Sequence, residues 1–490
     1  MLESDTFHAL TLWSLIAMMI QFGIITGVTL RVMLTRHPPG SAFAWIIITS
    51  VIPYVGFVLY LMFGERPLGR HREQLYRSLH EKEVEHPDLP LIPVGPLPLP
   101  LYPRADLLAL ATSVSGFPVT FGSSLKLFSD TNSIFNAIVA DINTAQKSID
   151  MEFYIWLDKG RVDEVSQALF AALARGCRVR ILLDDFGSRA FLNSTRRKEL
   201  VSAGAEICPA MPMKLWQIFG LQRADLRLHR KSIIIDERIA YTGSLNMIDP
   251  SAYADAKIVG DWIDAMVRME GPAVDSQCRV FETDWLLQPS QKPMHPQKPV
   301  TRVEKQCGNA TLVTVPSGPY SIHDPNLYLL LEAIAAAKRS ITITTPYFVP
   351  NEALLTALQT AAFRGVKITL IVPKKGNNKM VTWAGRRPFD TLLNVGVEIQ
   401  LHRIGLLHTK SVAVDGEFAV FGTVNLDNRS LHLNFETALL IFDKDFMLEL
   451  DALHQSYFKE SDPVNPKLWA KRPLLDRLKE GIGSLVAPLL

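Results

Sequence analysis

Two copies of one histidine–lysine–aspartate pattern contain the side chains of this sequence that could do chemistry. In each copy a lysine follows the histidine by two residues, and an aspartate closes the pattern: His229, Lys231 and Asp236, then His408, Lys410 and Asp415. Each copy continues into a Gly-hydroxyl-x-Asn tail, which contributes Ser244 and Asn246 in the first copy and Thr423 and Asn425 in the second. The offset is 179 residues at both ends, since 408 minus 229 equals 425 minus 246. This shared register predicts two equivalent halves.

The spacing within each copy suits extended backbone, in which alternate residues face the same side. The runs 232–235 and 411–414 that follow are rich in Ile, Val and Ala, as buried strands are. Two such sites facing one another would offer two imidazoles, two ammonium groups, two amides and two hydroxyls. This set suits a phosphodiester: Lys, Asn and the hydroxyls hold the phosphate oxygens, one histidine attacks phosphorus, and the other protonates the leaving oxygen. No metal is then required, because the lysines supply the positive charge.

A reacting histidine also needs its second ring nitrogen held in place. Asp264 and Glu436 occupy matching positions in the two halves, each opening an apolar strand downstream of the asparagine. We expect these acids to orient the two imidazoles, although either one alone could be a solvated strand end. Asp236 and Asp415 are expected to brace their motifs rather than to touch the substrate.

The repeat extends upstream of the motifs, where three segments of each half correspond: 145–154 with 337–347, 174–183 with 363–370, and 203–207 with 395–399. Each half reads as three helix–strand pairs followed by a strand hairpin and a further strand. This alternation predicts the α/β class. We expect two fused α/β domains with mixed, mostly parallel sheets flanked by helices, related by pseudo-two-fold symmetry, with the active site between them.

Two apolar, nearly uncharged stretches precede the repeats, at about 9–33 and 41–63. Each is long enough to cross a ~30 Å hydrocarbon core, which takes about 20 helical residues. Because the connection between them is short, residues 1–66 are predicted to form a transmembrane hairpin with both ends on one side. The arginines after the second stretch outnumber Arg31 and Arg36 at the hairpin tip, so the positive-inside rule favours a cytoplasmic catalytic part.

The remaining boundaries follow from composition. Residues 67–118 read as a basic juxtamembrane segment and a proline-rich linker, 119–295 as the first domain and 296–465 as the second. The tail, 466–490, mixes Lys and Arg with Leu, Ile and Val. It is predicted to be an amphipathic helix that either lies on the membrane or packs on the protein body.

The first half carries an insertion immediately before its histidine. Ile207 and His229 are 22 positions apart, whereas Ile399 and His408 are 9 apart. Apolar and aromatic residues interleaved with basic ones are typical of segments at a bilayer surface. We therefore expect a membrane lip beside the active site, with a buried interdomain connection as the alternative. Its lipid-facing residues would be Met213, Leu215, Trp216, Ile218 and Phe219.

Charge and cysteine content exclude several other classes of protein. The 51 basic and 49 acidic residues give a formal net charge of +2, which is not that of a non-specific nucleic-acid binder. The four cysteines lack Cys-x-x-Cys spacing, so neither a zinc site nor a disulfide framework is indicated. We expect no metal, no other cofactor and no nucleic-acid partner. The sequence leaves the oligomeric state open.

The duplicated motif with its Gly-hydroxyl-x-Asn tail resembles the phospholipase D superfamily. Four further stretches resemble the bacterial cardiolipin synthases, most closely their two-span A type: 239–247, 269–273, 344–350 and 407–412. The likeness covers nearly the whole chain. One departure is Thr423, where the superfamily more often has serine, but the hydroxyl is retained.

This resemblance implies a phosphatidyltransferase of the bacterial inner membrane. A histidine would attack one phosphatidylglycerol, giving a phosphatidyl-enzyme and glycerol, and a second phosphatidylglycerol would accept the phosphatidyl group to give cardiolipin. By the same analogy His229 is the nucleophile and His408 the general acid and then base, although the repeat leaves this order open. The alternatives are a hydrolytic phospholipase D or nuclease, a transphosphatidylase that uses another alcohol, and a non-catalytic membrane scaffold.

Overall fold

The computed structural model describes residues 2–35, 39–65, 72–76, 78, 104–212, 223, 225–253, 256–288, 306–321 and 323–487. These residues belong to two compact units, Met1–Glu73 with Met213–Leu226, and Gln74–Pro212 with Arg227–Leu490. The predicted lip at 213–219, most of the linker at 67–118 and the predicted boundary at 295–296 lie outside the described residues.

The longest helices that the structure describes in the first unit are α1 (Leu2–Leu34), α2 (Pro39–Val51) and α3 (Pro53–Phe63). Within the described part of the chain, Leu12–Leu34 is the one helical segment long and apolar enough to cross a membrane. The second predicted span is therefore wrong as a continuous helix. Its break falls at Pro53, which lacks an amide hydrogen and disfavours helical backbone in the residue before it, and Ile52 accordingly has φ −132° and ψ 70°.

The chain reverses at this break, so that α3 packs back on α2. The rings of Trp45 and Tyr60 meet edge to face with their centroids 5.6 Å apart. A side chain at Gly56 would place its Cβ 2.7 Å from the Cα of Thr49, so glycine allows the two helices to approach closely. The second apolar stretch is thus a pair of short helices joined by a tight turn.

Two contacts fix this helix pair along α1. The Tyr54 hydroxyl, beside the turn, donates to the carbonyl of Ala17 near the middle of α1 at 3.2 Å. At the other end of the pair, Glu65 accepts two hydrogen bonds from the guanidinium of Arg31, at 2.6 and 2.8 Å. The chain therefore enters α2 and leaves α3 beside the carboxyl end of α1, and its turn reaches about half-way along that helix.

The second unit is built on one mixed sheet of fifteen strands. From one edge to the other the order is β19-β13-β12-β10-β15-β16-β18-β9-β1-β8-β6-β5-β2-β3-β4, and two small two-strand sheets pair β11 with β17 and β7 with β14. The strands are β1 (Thr120–Phe128), β2 (Ser148–Phe153), β3 (Arg178–Asp184), β4 (Glu206–Ala210), β5 (Ser232–Ile235), β6 (Ile239–Gly243), β7 (Trp262–Ile263), β8 (Met266–Glu270), β9 (Ala310–Ser317), β10 (Ser340–Thr344), β11 (Phe348–Val349), β12 (Lys367–Pro373), β13 (Glu398–His402), β14 (Leu406–Leu407), β15 (Ser411–Val414), β16 (Phe418–Gly422), β17 (Leu426–Asp427), β18 (Glu436–Phe442) and β19 (Ser461–Pro463).

The two halves meet at an antiparallel pairing of β1 with β9. Outward from that junction, the strands of the first half follow the order β8, β6, β5, β2, β3, β4, and those of the second half follow the corresponding order β18, β16, β15, β10, β12, β13. The predicted alternation of helices and strands is therefore present in both halves.

The prediction of mostly parallel sheets is wrong. Within the large sheet, as far as the structure describes it, only β2–β3, β3–β4, β10–β12 and β12–β13 pair in parallel. The other neighbours in the large sheet are antiparallel, because the chain reverses in tight hairpins after each motif, at β5–β6 and at β15–β16. The parallel part of each half is thus confined to its outer strands.

Helices cover this sheet. They are α4 (Ala105–Ser115), α5 (Thr131–Thr144), α6 (Arg161–Ala174), α7 (Arg189–Leu192), α8 (Thr195–Ser202), α9 (Ala256–Val259), α10 (Ala273–Leu286), α11 (Pro325–Ala336), α12 (Glu352–Phe363), α13 (Lys379–Arg386), α14 (Phe389–Asn394), α15 (Asn428–His432), α16 (Lys444–Lys459), α17 (Pro466–Ala470) and α18 (Leu474–Val486). Asp130, Asn351 and Asp443 cap the amino ends of α5, α12 and α16 through their side-chain oxygens. Every residue of β2 and β18 is buried, as expected of strands covered on both faces.

Candidate active site

Both histidine motifs lie immediately before a hairpin strand, the first before β5 and the second before β15. The backbone amide of His229 donates to the carbonyl of Phe435 at 3.0 Å, and that of His408 donates to the carbonyl of Ile263 at 2.9 Å. Phe435 and Ile263 each precede the predicted orienting acid of the opposite half. The structure therefore brings each histidine to the strand of the other half that carries an acid.

The acid–histidine pairs are crossed between the halves. Nδ1 of His229 lies 2.8 and 2.9 Å from the two carboxylate oxygens of Glu436. Nδ1 of His408 lies 2.6 Å from Oδ1 of Asp264. Because Nδ1 of each ring is held by a carboxylate, Nε2 is the nitrogen that can react.

The hydroxyls predicted to contact phosphate bind these same acids instead. Ser244 donates to Oδ1 of Asp264 at 2.6 Å, and Thr423 donates to Oε2 of Glu436. Each hydroxyl in turn accepts a backbone amide at 2.9 Å, from the residue directly after its acid. Both hydroxyls are fully buried, and the structure gives them a different partner from the one predicted.

The glycine of each tail allows this close packing. A side chain at Gly243 would overlap the carbonyl oxygen of Ala265, and one at Gly422 would overlap that of Thr437. These are the strands that carry the acids. Glycine therefore lets the tail of each motif lie directly against the acid that its hydroxyl binds.

The lysines and asparagines are buried with the histidines. Nζ of Lys231 donates to the carbonyl of His229 at 2.6 Å, and Lys410 makes the equivalent bond to the carbonyl of His408. Oδ1 of Asn246 accepts the amide of Ile155 at 3.2 Å. Each ammonium group has further protons, which can bind phosphate oxygens in the same pocket.

Oδ1 of Asn425 is buried and, within the described part of the chain, accepts no hydrogen bond. A buried amide oxygen without a partner is costly, because desolvation is not offset by a hydrogen bond. Such a group fits a place where a ligand supplies the missing donor. A hydroxyl group of a bound ligand is a donor of that kind.

Asp236 and Asp415 brace the motifs from outside the reacting centre. The carboxylate of Asp236 accepts the amides of residues 146, 147 and 148 at 2.7 to 3.0 Å. That of Asp415 accepts the amides of residues 338, 339 and 340 at 2.6 to 2.9 Å. Each aspartate ties the end of its hairpin strand to the start of the neighbouring strand, as predicted.

Burial is the main reason why the pKa of each histidine lies below its ordinary value. It lowers the pKa of His229 to about 4 and that of His408 to about 3, although the paired carboxylate raises the pKa in both cases. The lysine of each half also lowers the pKa of the histidine in the other half, so the two motifs share one electrostatic environment. Both imidazoles are neutral near pH 7.

Burial also lowers the pKa of Lys231 to about 8 and moves the pKa of Lys410 well below its usual value. Repulsion by Lys231 adds to the shift at Lys410. Burial alone would raise the pKa of Asp264 and Glu436, but the bound histidine and the nearby lysine outweigh it, so both acids have a pKa below the ordinary value. These acids are therefore ionised, and each accepts the hydrogen bond that Nδ1–H of its histidine donates.

Sequence reasoning missed two aromatic rings that pack on the histidines. The centroid of the Tyr154 ring lies 5.4 Å from that of His229, and the centroid of Trp262 lies 4.4 Å from that of His408. Trp262 precedes Asp264 by two residues in an extended segment, and this period-two spacing could have placed both on the same side. The two rings limit how each imidazole can turn.

Arg230, between the histidine and lysine of the first motif, was also missed. It is buried and donates through Nε to the carbonyl of Glu436 at 3.0 Å and through Nη2 to the carbonyl of Ser317 at 3.0 Å. Its guanidinium also pairs with Asp284. Because alternate residues of an extended strand face opposite sides, Arg230 is expected to point away from His229 and Lys231. On that side its guanidinium binds the backbone of Glu436, the acid that orients His229.

The described residues contain no group of three or more His, Cys, Asp or Glu side chains arranged to hold a metal ion. Lys231 and Lys410 are buried beside the histidines and can supply positive charge to the site. With two ionised acids beside them, the pocket matches a singly charged phosphodiester better than a highly charged polyphosphate.

Comparison with known families defines the class of this protein. The family model described as "Cardiolipin synthase, PLD-like domain" matches residues 138–285 and again 330–458, one match in each half. A second model, "Phospholipase_D-nuclease N-terminal", matches residues 24–65, which include the end of α1 and all of α2 and α3. The fold and site are thus those of a protein with a duplicated phospholipase D-like domain.

Relatives narrow this class to one family. The chain is 39% identical over 487 residues to cardiolipin synthase A of Escherichia fergusonii, covering 99% of this chain and 100% of that protein. It is 40% identical over 478 residues to cardiolipin synthase A of Klebsiella pneumoniae subsp. pneumoniae, covering 95% and 96% of the two chains. The chain belongs to the cardiolipin synthase family of phospholipase D-like proteins, and it is membrane-associated.

A solved structure supports the fold. The crystal structure of phosphatidylserine synthase from Haemophilus influenzae Rd KW20 covers 78% of this chain and 99% of its own, with a TM-score of 0.59 at 14% identity. At this identity the likeness concerns the arrangement of strands and helices alone.

Proposed function

We propose that this protein is a cardiolipin synthase that joins two phosphatidylglycerol molecules through a phosphatidyl-histidine intermediate. The observation that carries the proposal is the pair of crossed acid–histidine couples, His229 with Glu436 and His408 with Asp264, in a pocket that also contains both lysines. Membership of the cardiolipin synthase family supports the choice of phospholipid substrate.

In the first step Nε2 of His229 attacks phosphorus, and the bond from phosphorus to the glycerol headgroup oxygen breaks. His408 gives its Nε2 proton to that oxygen, so that glycerol leaves neutral. His229 is the more exposed of the two rings, at 9% against 2%, which supports its assignment as the nucleophile. Glu436 stabilises the positive charge that develops on the His229 ring.

In the second step His408 takes a proton from the terminal hydroxyl of a second phosphatidylglycerol. The hydroxyl oxygen attacks phosphorus, the phosphorus–nitrogen bond breaks, and His229 returns to its neutral state. The incoming glycerol headgroup has a second hydroxyl, which can donate to the buried Oδ1 of Asn425 while the terminal hydroxyl donates to His408. The products are cardiolipin and the regenerated enzyme.

Charge balance explains how one ring becomes acidic. Lys231 and Lys410 lie near the ionised Asp264 and Glu436, which raise the pKa of both lysines, and the negative charge of a bound phosphate favours their protonated forms further. A bound phosphodiester adds one negative charge in a buried site, and one added proton cancels it. That proton converts one imidazole into a general acid and leaves the other as a neutral nucleophile.

The reaction is tested with the full chain in vesicles that contain phosphatidylglycerol labelled in its headgroup glycerol and acyl chains. We expect labelled cardiolipin and free glycerol in equal amounts, and loss of both products in His229→Ala and His408→Ala. His432→Gln is the matched control, because this histidine pairs with Asp324 outside the motifs and its replacement should leave the rate unchanged. Formation of phosphatidic acid in place of cardiolipin would show that water is the acceptor.

The nucleophile is tested with phosphatidyl-p-nitrophenol, whose nitrophenolate leaves without a proton. His408→Ala should then release a stoichiometric burst of nitrophenolate and retain the phosphatidyl group on His229. His229→Ala should give no burst. The reverse pattern would exchange the two roles while leaving the overall reaction in place.

For membrane topology we propose that α1 crosses the bilayer and that α2 and α3 enter it only part-way and return. The contacts of Tyr54 with Ala17 and of Glu65 with Arg31 support this, because they put both ends of the helix pair at the same end of α1. The arginines that precede and follow the pair then lie on one side, and the acidic residues Glu3 and Asp5 lie on the other. The positive-inside rule places that arginine-rich side, and the catalytic part that follows it, in the cytoplasm.

Cysteine labelling in intact cells distinguishes this topology from a two-span hairpin. A membrane-impermeant maleimide should label Ser4→Cys from outside, whereas Thr35→Cys and the native exposed Cys307 should react only after lysis. In a two-span hairpin Ser4→Cys and Cys307 would share a side, and Thr35→Cys would lie opposite to them.

The insertion before His229 is proposed to be the membrane lip that its composition predicts. Arg223, which follows the predicted lip residues, donates through Nη1 to the carbonyl of Glu65 at 3.3 Å, directly after α3. This contact brings Arg223 beside the end of α3. Trp216→Ser should then lower the rate with phosphatidylglycerol in vesicles more than the rate with a short-chain soluble analogue.

A further inference from the structure

The C-terminal helix α18 carries an apolar stripe that faces away from the protein. Its members recur at helical spacing and lie within about a quarter of the helix circumference, as in an amphipathic helix. All are exposed, and they are Leu474, Leu475, Leu478, Ile482 and Leu485. A helix that merely packs on the body would present polar residues on this face.

The opposite face of α18 is firmly packed. A Cβ at Gly483 would lie 2.6 Å from the backbone nitrogen of Ala384, so α18 lies directly against α13. The guanidinium of Arg472, just before α18, pairs at 2.7 Å with both Asp390 and Glu480. The exposed stripe is therefore held in a defined orientation.

Basic residues surround the stripe. The segments 374–387 and 465–487, here called the C-terminal platform, contain ten Lys and Arg residues and two acids. Asp390 and Asp462 outside these segments pair with Arg472 and Lys374, so the basic residues still outnumber the acids by ten to four, although the whole chain is nearly neutral. Arg477 and Lys479 flank the stripe on its two sides, where long side chains can reach lipid phosphates while the leucines enter the bilayer. This charge suits an anionic surface.

The platform is also connected to the catalytic pocket. Nδ2 of Asn428 donates to the carbonyl of Ala487 at the end of α18, at 3.4 Å. Asn428 follows Asn425 of the second motif by three residues. At the other edge of the platform, the Tyr347 hydroxyl donates to Oδ1 of Asn377 at 2.9 Å. Tyr347 immediately precedes β11, and β11 pairs with β17, which begins directly after Asn425.

We propose that the C-terminal platform is a docking surface for the anionic phospholipid bilayer, with the leucine stripe of α18 inserted among the lipid headgroups and acyl chains. The occupant is the membrane and not a second copy of this chain, because ten basic residues on two identical surfaces would repel one another. The platform orients the second motif toward the surface that holds the proposed substrate. The proposal does not depend on which alcohol accepts the phosphatidyl group.

The test uses the full chain with Cys278 and Cys307 replaced by Ser, and an environment-sensitive NBD fluorophore on Leu478→Cys. Leu448→Cys is the matched control, since Leu448 on α16 is 62% exposed and Leu478 is 59% exposed. In vesicles of phosphatidylethanolamine and phosphatidylglycerol, we expect a blue-shifted spectrum at residue 478 and loss of most of its fluorescence when doxyl-labelled lipids are included. Residue 448 should show neither change.

Charge dependence provides the second arm. The quenching at residue 478 should weaken in phosphatidylcholine vesicles and in the double variant R477E/K479E. A blue shift without quenching by lipid would indicate a protein partner on the stripe and overturn the proposal. So would equal quenching at residues 448 and 478, or no spectral change at 478. Cardiolipin formation in the labelled proteins is measured alongside, so that a failure of catalysis is recognised separately from a failure of docking.

Discussion

The crossed pairing makes a specific prediction for Glu436→Gln, which keeps the size of the side chain and removes its charge. Glu436 is fully buried and holds Nδ1 of His229 with both oxygens, at 2.8 and 2.9 Å. Although Glu436 belongs to the second half, we expect this change to impair the chemistry of the first-half histidine. Substrate affinity should change little, because Glu436 contacts the imidazole and not the phosphate.

The size of the effect follows from the charge that forms on His229 during attack. A hydrogen bond to a charged group contributes about 1.5–3 kcal/mol, and loss of one partner of a buried ion pair costs about 3–5 kcal/mol. Since each ~1.36 kcal/mol changes a rate tenfold, the larger range corresponds to a decrease of about 10² to 10⁴ in kcat. Thr423→Val, which removes a neutral donor to the same carboxylate, should have a smaller effect.

The assay is the burst of nitrophenolate from phosphatidyl-p-nitrophenol. Glu436→Gln should slow the burst, because attack by His229 is impaired. Asp264→Asn should leave the burst nearly intact and slow turnover after it, because His408 is then needed only as the base of the second step. Glu417→Gln, in a partly exposed acid of the same half, is the control and should match the unmodified protein. A normal burst in Glu436→Gln together with a lost burst in Asp264→Asn would refute the crossed assignment.

Four further predictions concern pH, metals and the supporting residues. The kcat/KM should fall as the pH rises above about 4, because both imidazoles of the free enzyme are then neutral and substrate binding must bring in one proton, and it should fall further above about pH 8 as Lys231 loses its charge; a level profile between these values would contradict the proton uptake. Activity of the purified protein should persist in EDTA, because lysines supply the positive charge; inactivation that Mg²⁺ reverses would argue otherwise. Arg230→Met should lower the free energy of unfolding by about 3–5 kcal/mol, because this change leaves the buried carboxylate of Asp284 without its guanidinium partner. Thermal melting in detergent measures the loss, and the double variant R230M/D284M should regain part of the lost stability. Asp415→Asn should lower the melting temperature with little change in kcat, since it braces backbone amides; a selective loss of kcat would place it in the chemistry.

The catalytic motifs could be predicted from sequence because their signals are local. The two-residue spacing of histidine and lysine and the repeated Gly-hydroxyl-x-Asn tail are short-range patterns set by the geometry of extended backbone. Their duplication in one register then predicted the two halves and their shared site. The bracing role of Asp236 and Asp415 followed in the same way, because each closes the strand that its motif begins.

The sheet and the second apolar stretch were less predictable. The hairpins after each motif make the centre of the sheet antiparallel, and pairing between distant strands leaves little trace in composition. In the second stretch, hydropathy alone indicated one span of 41–63. Pro53 marks the break, but only the packing of Gly56 on Thr49 turns that break into a reversal.

By itself, the sequence determined which side chains form the proposed site: two histidines, two lysines, two asparagines and two acids, at spacings that extended backbone brings to one side. Only the tertiary structure decided which acid serves which histidine, that Ser244 and Thr423 bind those acids, and which face of α18 remains outside. The physical reason is that Asp264 and Glu436 occupy equivalent positions in equivalent halves, so local rules cannot distinguish them. The contacts between the halves distinguish the two acids, because the backbone of each histidine is hydrogen-bonded to the residue just before the acid of the other half.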